Sequence, residues 1–201
     1  MPFAGYIIAL MELEQERQLV ERAKSDPLAF GILYEEYFNQ IFGYVLRRTA
    51  DLSISQDVTA EVFFKALRNI KSFHWRGIPF SDWLYRITIH EIANVYSHNG
   101  HDRILTEEIK IASALFDQTV EDEAEEAQAN LEKEAEFIII KNCINELPPK
   151  YREVITLRFF EKKQLNEIAR ILGKKDGTVK SLLHRGLEKL RVKMQDKGAT
   201  F

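Results

Sequence analysis

Leu165–Arg191 reads LNEIARILGKKDGTVKSLLHRGLEKLR, and the fold turns on how this stretch is read. Leu165, Ile168, Ala169 and Leu172 recur at helical spacing, and Gly173 is a stop signal. A tight glycine-containing turn and a longer basic helix follow, which is the pattern of a helix-turn-helix. At about 100° per residue, Val179, Leu183, Gly186 and Leu190 gather on one side of the second helix as its core face. Gly186 lacks a side chain where another helix can approach closely, despite a helix cost of about 1 kcal/mol relative to Ala. Lys180, Ser181, His184, Arg185, Glu188 and Arg191 face the other way. Arg grips guanine or phosphate, Lys adds charge, and Ser and His are adaptable hydrogen-bonding groups, so this face suits a duplex groove. The plainer alternative is a solvated basic helix. Leu182 stands at the edge between the two faces. It reads either as the shoulder of a wide core stripe or as an apolar contact to a thymine methyl.

Charge along the chain is uneven. Residues 1–99 hold 10 Lys+Arg against 12 Asp+Glu, residues 100–136 hold 3 against 12, and residues 148–201 hold 14 against 6. A basic C-terminal block behind an acidic segment points to a polyanion-binding surface and a separate connector. The remaining patterns are helical. Asp26-Pro27 is a start signal, followed by Phe30, Leu33, Tyr34, Tyr37, Ile41, Tyr44 and Val45 as one apolar stripe. Val58, Val62, Phe63, Ala66, Leu67 and Ile70 repeat the pattern. SFHWRGIPF (Ser72–Phe80) breaks it with Gly77 and Pro79, and a third helix follows over Ser81–His98. PKYREVITLRFF (149–160) reads as one short helix. No alternating strand pattern survives, so the fold class is all-α, with two small helical domains joined by an acidic linker. The boundaries read as an N-terminal extension over 1–24, a first domain over 25–99, a linker over 100–136 with a helical tail from Ala124, and a second domain over 137–196.

Several functions lack their residues. There is no Gly-rich phosphate loop, G-x-S-x-G or H-E-x-x-H, so no catalytic residue, enzyme activity or cofactor is expected. His98-x-x-His101 with Asp102 lacks neighbouring Cys ligands, and no metal is expected. Cys143 sits in an apolar helical pattern and reads as a buried structural thiol; as a single cysteine it fits a reducing cytoplasm. The apolar run at the N-terminus is too short to span a bilayer and lacks a basic signal region. Residues 1–10 fit either an upstream translation start or a small packing extension.

LPPKYREVITLRFFEKKQLNEIARILGKKDGTVKSLLHRGLEKLR (147–191) closely resembles the DNA-binding domain of extracytoplasmic-function sigma factors, in the sigma-70 family. DPLAFGILYEEY, DVTAEVFFKAL and SF…FSDWLYRI resemble the family's polymerase-binding and promoter-melting domain. The resemblance spans Ser25 to Lys193. It implies a promoter-specificity factor that partners core RNA polymerase (clamp helices and flap) and promoter DNA, and that is often held inactive by an anti-sigma protein. Carried over residue by residue, the minus-35 duplex falls to Thr178, Lys180, Ser181, Leu182, His184 and Arg185. Minus-10 recognition and melting fall to Phe73, His74, Trp75, Arg76, Arg86, His90 and Asn94. There the aromatics offer stacking surfaces and the arginines offer phosphate contacts. Polymerase binding falls to Asp57, Glu61 and Lys65. The first two match acidic positions of the family's D-x-x-Q-E-x-F run, with Ala60 in place of the usual Gln. Trp83 and Leu84 continue an apolar stripe and read as core.

One departure is large. The family usually follows this helix with an arginine-rich cluster, whereas no Lys or Arg occurs from Glu91 to Asp102. A weaker grip on the downstream element is expected there, or a protonation-sensitive one through His98 and His101. The acidic linker reads equally as a nucleic-acid mimic in the polymerase or as a solubilising spacer. Two rival functions remain: a polymerase-independent helix-turn-helix regulator, which leaves Asp57–Ile87 without a role, and a divergent sigma-like protein that sequesters a partner.

Overall fold

A computed structural model describes residues 3–98, 139–140 and 142–197, with side chains from Leu13 onward in the first of these. The acidic stretch 100–136 with its expected helical tail, His101, Asp102 and the side chain of His98 lie outside the described residues. The chain divides into two compact units, Met1–Phe116 and Asp117–Phe201. All regular elements among the described residues are helical, and none is long and apolar enough to cross a membrane.

The N-terminal unit packs four helices: α1 (Phe3–Ala23), α2 (Pro27–Thr49), α3 (Leu52–Asn69) and α4 (Phe80–His98). Asp26 caps α2, its Oδ1 accepting from the Leu28 amide at 2.9 Å, and Pro27 takes the first-turn position its fixed φ suits. Asp51 caps α3 in the same way through the Ile54 amide at 2.8 Å. A short 3₁₀ turn (Ile70–Ser72) ends α3, and the loop before α4 turns at Gly77 with φ +69°. Val20, Leu33, Ile41, Tyr44, Val62, Ala66, Leu84 and Tyr85 are almost wholly buried between the four helices. The Tyr44 and Tyr85 rings meet edge-on at 5.1 Å, fixing α2 against α4.

From Leu13 onward, α1 takes part in this packing. Val20 and Ala23 are buried, and Glu16 reaches out of α1 to two other elements. Its Oε1 accepts from the Phe80 backbone amide at 2.8 Å and from the Tyr37 hydroxyl at 2.5 Å. A carboxylate at the first turn of α4 satisfies an orphan amide and complements the helix dipole. Burial, and then the Glu16 carboxylate beside it, push the Tyr37 phenol far above its ordinary range, so it stays a neutral donor.

The C-terminal unit holds α5 (Pro149–Ile155), a π-turn (Thr156–Phe160), α6 (Leu165–Leu172) and α7 (Asp176–Asp196), preceded by helical residues at 142–145. The single helix expected over 149–160 widens after Ile155 into the π-turn, and Lys162, two residues beyond it, takes φ +54°. The Arg158 guanidinium donates to the Lys163 carbonyl at 3.1 Å and closes this irregular corner. Gly173 ends α6 in the left-handed region at φ +62°. The Lys174 amide bonds the Ala169 carbonyl and the Gly173 amide bonds Arg170, a Schellman pattern. Cys143, Ile144, Leu147, Tyr151, Ile155, Leu190 and Met194 form one core cluster. Cys143 is fully buried and burial pushes its thiol up, which suits packing rather than nucleophilic work.

Gly186 is where α7 meets α5. A Cβ there would stand 3.1 Å from Ile155 Cδ1 and 3.3 Å from Tyr151 Cβ. Gly186→Leu should therefore destabilise the C-terminal unit by about 2 kcal/mol or more in urea unfolding of the full chain. Gly31 in α2, where a Cβ meets nothing within 4 Å, gives the opposite expectation: Gly31→Ala should stabilise by up to about 1 kcal/mol.

The end of α7 is tied back by ion pairs. Lys197 and Lys193 both bond Glu146, the latter at 2.9 Å, and these hydrogen bonds (Lys197 first) lower the Glu146 carboxyl below its ordinary value. A depressed carboxylate pKa contributes stability that is present above its unfolded value, near 4.5, and lost as pH falls through the folded value. Glu146→Gln should remove that contribution at pH 7, so its stability deficit against wild type should shrink as pH falls below about 4.5 in a series of thermal melts.

Candidate nucleic-acid and polymerase interfaces

On α7, contact with α5 sets which face remains free. Val179, Gly186, Leu190 and Met194 point into the unit, and Leu183 packs against its core cluster. Thr178, Lys180, Ser181, His184 and Arg185 are all exposed, so one helix face brings five of the six expected minus-35 residues together. The sixth, Leu182, is half-buried against the core cluster. Its position is that of a shoulder, with part of its side chain left at the surface. His184 Nδ1 lies 3.6 Å from Glu188 Oε2 one turn on, so an imidazolium there has a local counter-charge that competes with phosphate.

The second expected DNA surface forms where the 72–80 loop meets α4. Phe73 is its hub, with its ring 6.3 Å from Trp75, 5.6 Å from Phe80 and 4.9 Å from Trp83. Phe80 is fully buried, and Phe73, Trp75 and Trp83 are half-buried. Phe73 thus anchors the loop, while Trp75 and Trp83 share the aromatic surface. Trp83 differs from the core position its apolar stripe predicts; its neighbour Leu84 is fully buried as expected. The His74 Nδ1 contacts the Ser72 carbonyl at 2.7 Å. A carbonyl only accepts, so Nδ1 carries the hydrogen and Nε2 faces solvent. Arg76 is exposed in the loop. Along α4, Trp83, Arg86, His90 and Asn94 follow one another at intervals of three and four residues, which places them on one helix face. The last three are exposed. The result is an aromatic platform continued by a guanidinium, an imidazole and an amide, a fit for unstacked bases and their phosphates.

The third surface is the outer face of α3. Asp57 and Glu61 are exposed one turn apart. Lys65 is committed elsewhere: its Nζ lies 2.6 Å from Glu91 Oε2 on α4 and 3.2 Å from Glu61 Oε1. The Glu91 side chain is only 11% exposed, so Lys65 supplies the counter-charge of a nearly buried carboxylate. The Glu91 hydrogen bond raises the Lys65 pKa, consistent with a fixed charge. The sequence pattern missed two members of this face. Phe64 and Leu67 are 52% and 45% exposed, the latter against its expected place in the apolar stripe. Arg68 lies over the Phe64 ring at 5.6 Å. An exposed Phe in a helix whose core face is already full was the available signal.

Residues 33–101 match the family described as Sigma-70 region 2, and residues 137–190 match Sigma-70, region 4. The ECF RNA polymerase sigma factor SigW of Bacillus subtilis is 32% identical over 190 residues, 92% of this chain and 100% of that relative. The chain belongs to the ECF sigma factors of the sigma-70 family. The ECF sigma factor BldN of Streptomyces coelicolor is 29% identical over 174 residues, 86% of this chain, and the match spans 63% of that longer relative. In fold, the chain resembles CnrH as solved in complex with the cytosolic domain of CnrY. Their TM-score is 0.64, over 90% of this chain and 97% of that one, at 20% identity. ECF sigma factors are promoter-specificity factors of transcription initiation, and the two matched regions coincide with the two helical units described above.

The Lys65 geometry separates scaffold from interface. Lys65→Met should destabilise the N-terminal unit by about 1 kcal/mol, because it leaves the nearly buried Glu91 with the Asn94 amide at 3.4 Å but no ammonium, an effect that solvent at the half-exposed Lys65 reduces. Asp57→Asn should leave stability within about 0.5 kcal/mol of wild type. Thermal melts of the two variants check both statements.

Proposed function

We propose that this sigma factor docks on core RNA polymerase through the outer face of α3, opens the minus-10 element at the 72–80 loop and α4, and reads the minus-35 duplex with α7. The observation that carries the reading is the exposed face of α7. Its core contacts leave Thr178, Lys180, Ser181, His184 and Arg185 free together. Lys180 and Arg185 supply phosphate and guanine contacts, and Ser181 and His184 add hydrogen bonds to base edges. Asp57, Glu61, Phe64 and Leu67 offer the polymerase a mixed acidic and apolar surface, an arrangement that suits the clamp helices. Region 4 offers its contact to the flap.

The protein performs no chemistry of its own. Binding energy from the α7 contacts positions the complex, and stacking on Trp75 and Trp83 offsets the cost of unstacking bases. Arg76 and Arg86 hold the adjoining phosphates, and His90 and Asn94 reach the base edges. It acts in the cytoplasm, where polymerase and chromosome are. An anti-sigma protein is the inhibitor the family implies, and Leu28 and Ile32, exposed on α2, are apolar surface open to one.

Variants separate the roles. Phe64→Ser with Leu67→Ser should weaken co-purification with core polymerase at least tenfold and leave the minus-35 duplex preference of the full chain unchanged. Trp75→Ala with Trp83→Ala should retain polymerase binding but lose permanganate-reactive thymines at the promoter. Loss of promoter opening together with wild-type core binding in the α3 variant would contradict the assignment.

A further inference from the structure

Tyr151 belongs to the core cluster of the C-terminal unit, and only 7% of it is exposed. Two ammonium groups converge on its ring. Lys150 Nζ, from α5, is 5.0 Å from the ring centroid, and Lys189 Nζ, from α7, is 6.0 Å from it. The two charges are thus at most about 11 Å apart, the sum of those distances. Among the described residues neither forms an ion pair. Carboxylates close to them in sequence are engaged elsewhere: Glu146 holds Lys193 and Lys197, Glu188 lies beside His184, and Glu153, three residues on from Lys150, is buried and has interactions of its own. Two like charges brought together without a carboxylate repel one another. The electron-rich ring face offsets part of that repulsion and fixes where the charges stand. An anion would offset the rest.

Their position says which anion. Lys189 follows Arg185 by four residues, one turn and about 6 Å along α7. By helical periodicity it lies at the edge between the groove face and the core face, on the side where Leu182 packs. Lys189 therefore continues the proposed DNA face from Arg185 along one edge of α7, and Lys150 stands within about 11 Å of it on α5. A duplex presents a phosphate every 3.4 Å of axis on each strand, so charges placed there meet backbone beyond the bases that α7 contacts.

We propose that Lys150 and Lys189 form a phosphate-binding pair on the duplex backbone flanking the minus-35 element. The pair orients α7 in the groove without reading sequence. The proposal rests on the assignment of α7 to that duplex. An acidic protein segment would suit the same charges. The continuity of Lys189 with Arg185 on one edge of α7 favours DNA.

The test uses the full chain and a duplex selected by the wild type from a random library, with a scrambled duplex as control, over a salt series. Lys150→Gln/Lys189→Gln should lower the slope of log affinity against log salt by about 1.8, or 0.9 for each phosphate lost. Affinity for the selected and scrambled duplexes should fall by the same factor, so the preference between them stays. Lys150→Arg/Lys189→Arg should keep the wild-type slope. An unchanged slope in the Gln variant overturns the proposal, as does a changed base preference. An unchanged slope with weaker assembly on core polymerase would assign the pair to an acidic protein surface, which also overturns it. A wild type that prefers no duplex would instead remove the minus-35 assignment itself.

Discussion

A helix that reads DNA can offer only the face its core contacts leave free, and in this chain the contact at Gly186 makes that choice. With no Cβ, α7 approaches α5 until its backbone is almost in van der Waals contact with Tyr151 and Ile155. Leu190 and Met194 then enter the core cluster, Leu182 is held at its edge, and the opposite side turns outward. A bulkier residue would push the helices apart and shift the outward face. A shift of even an ångström matters for bidentate contacts to base edges, whose geometry is narrow.

The N-terminal unit positions its surfaces by a different device, namely polar links between distant segments. Glu16 caps the start of α4 and holds Tyr37, and Lys65 joins α3 to Glu91 on α4. The aromatic hub at Phe73 anchors the loop that precedes α4. Together these links fix the relation between α3, which carries the proposed polymerase-facing residues, and α4, which carries the proposed DNA-facing ones.

Local chemistry explains what was legible in the sequence. The start at Asp26-Pro27, the stop at Gly173, the close approach at Gly186 and the outward face of α7 all follow from rules that act within one or two turns. The surprises come from long-range pairing. Glu16 meets Phe80 across 64 residues and Lys65 meets Glu91 across 26, and no helical period encodes either contact. The acidic motif on α3 drew Lys65 into the expected interface, and its half-exposed ammonium also pairs with the nearly buried Glu91 on α4. Phe64, Leu67 and Trp83 were misplaced or missed because apolar spacing marks a stripe without saying how wide the covering layer is. The π-turn after Ile155 escaped because the element ends at Phe160, too soon for a one-residue shift of about 100° to show in the apolar pattern. The resemblance to sigma factors supplied the roles; the packing shows which of those side chains are exposed.

In the proposed function each exposed face has its own part in initiation: polymerase docking, duplex reading and capture of unstacked bases. The link between them is tested most directly by run-off transcription with core RNA polymerase and this chain on a library of genomic fragments. The account predicts discrete transcripts that appear only when the chain is present and start at a common distance from a shared pair of sequence elements. Transcription that is unchanged by the chain, with no fragment preferred, would contradict it.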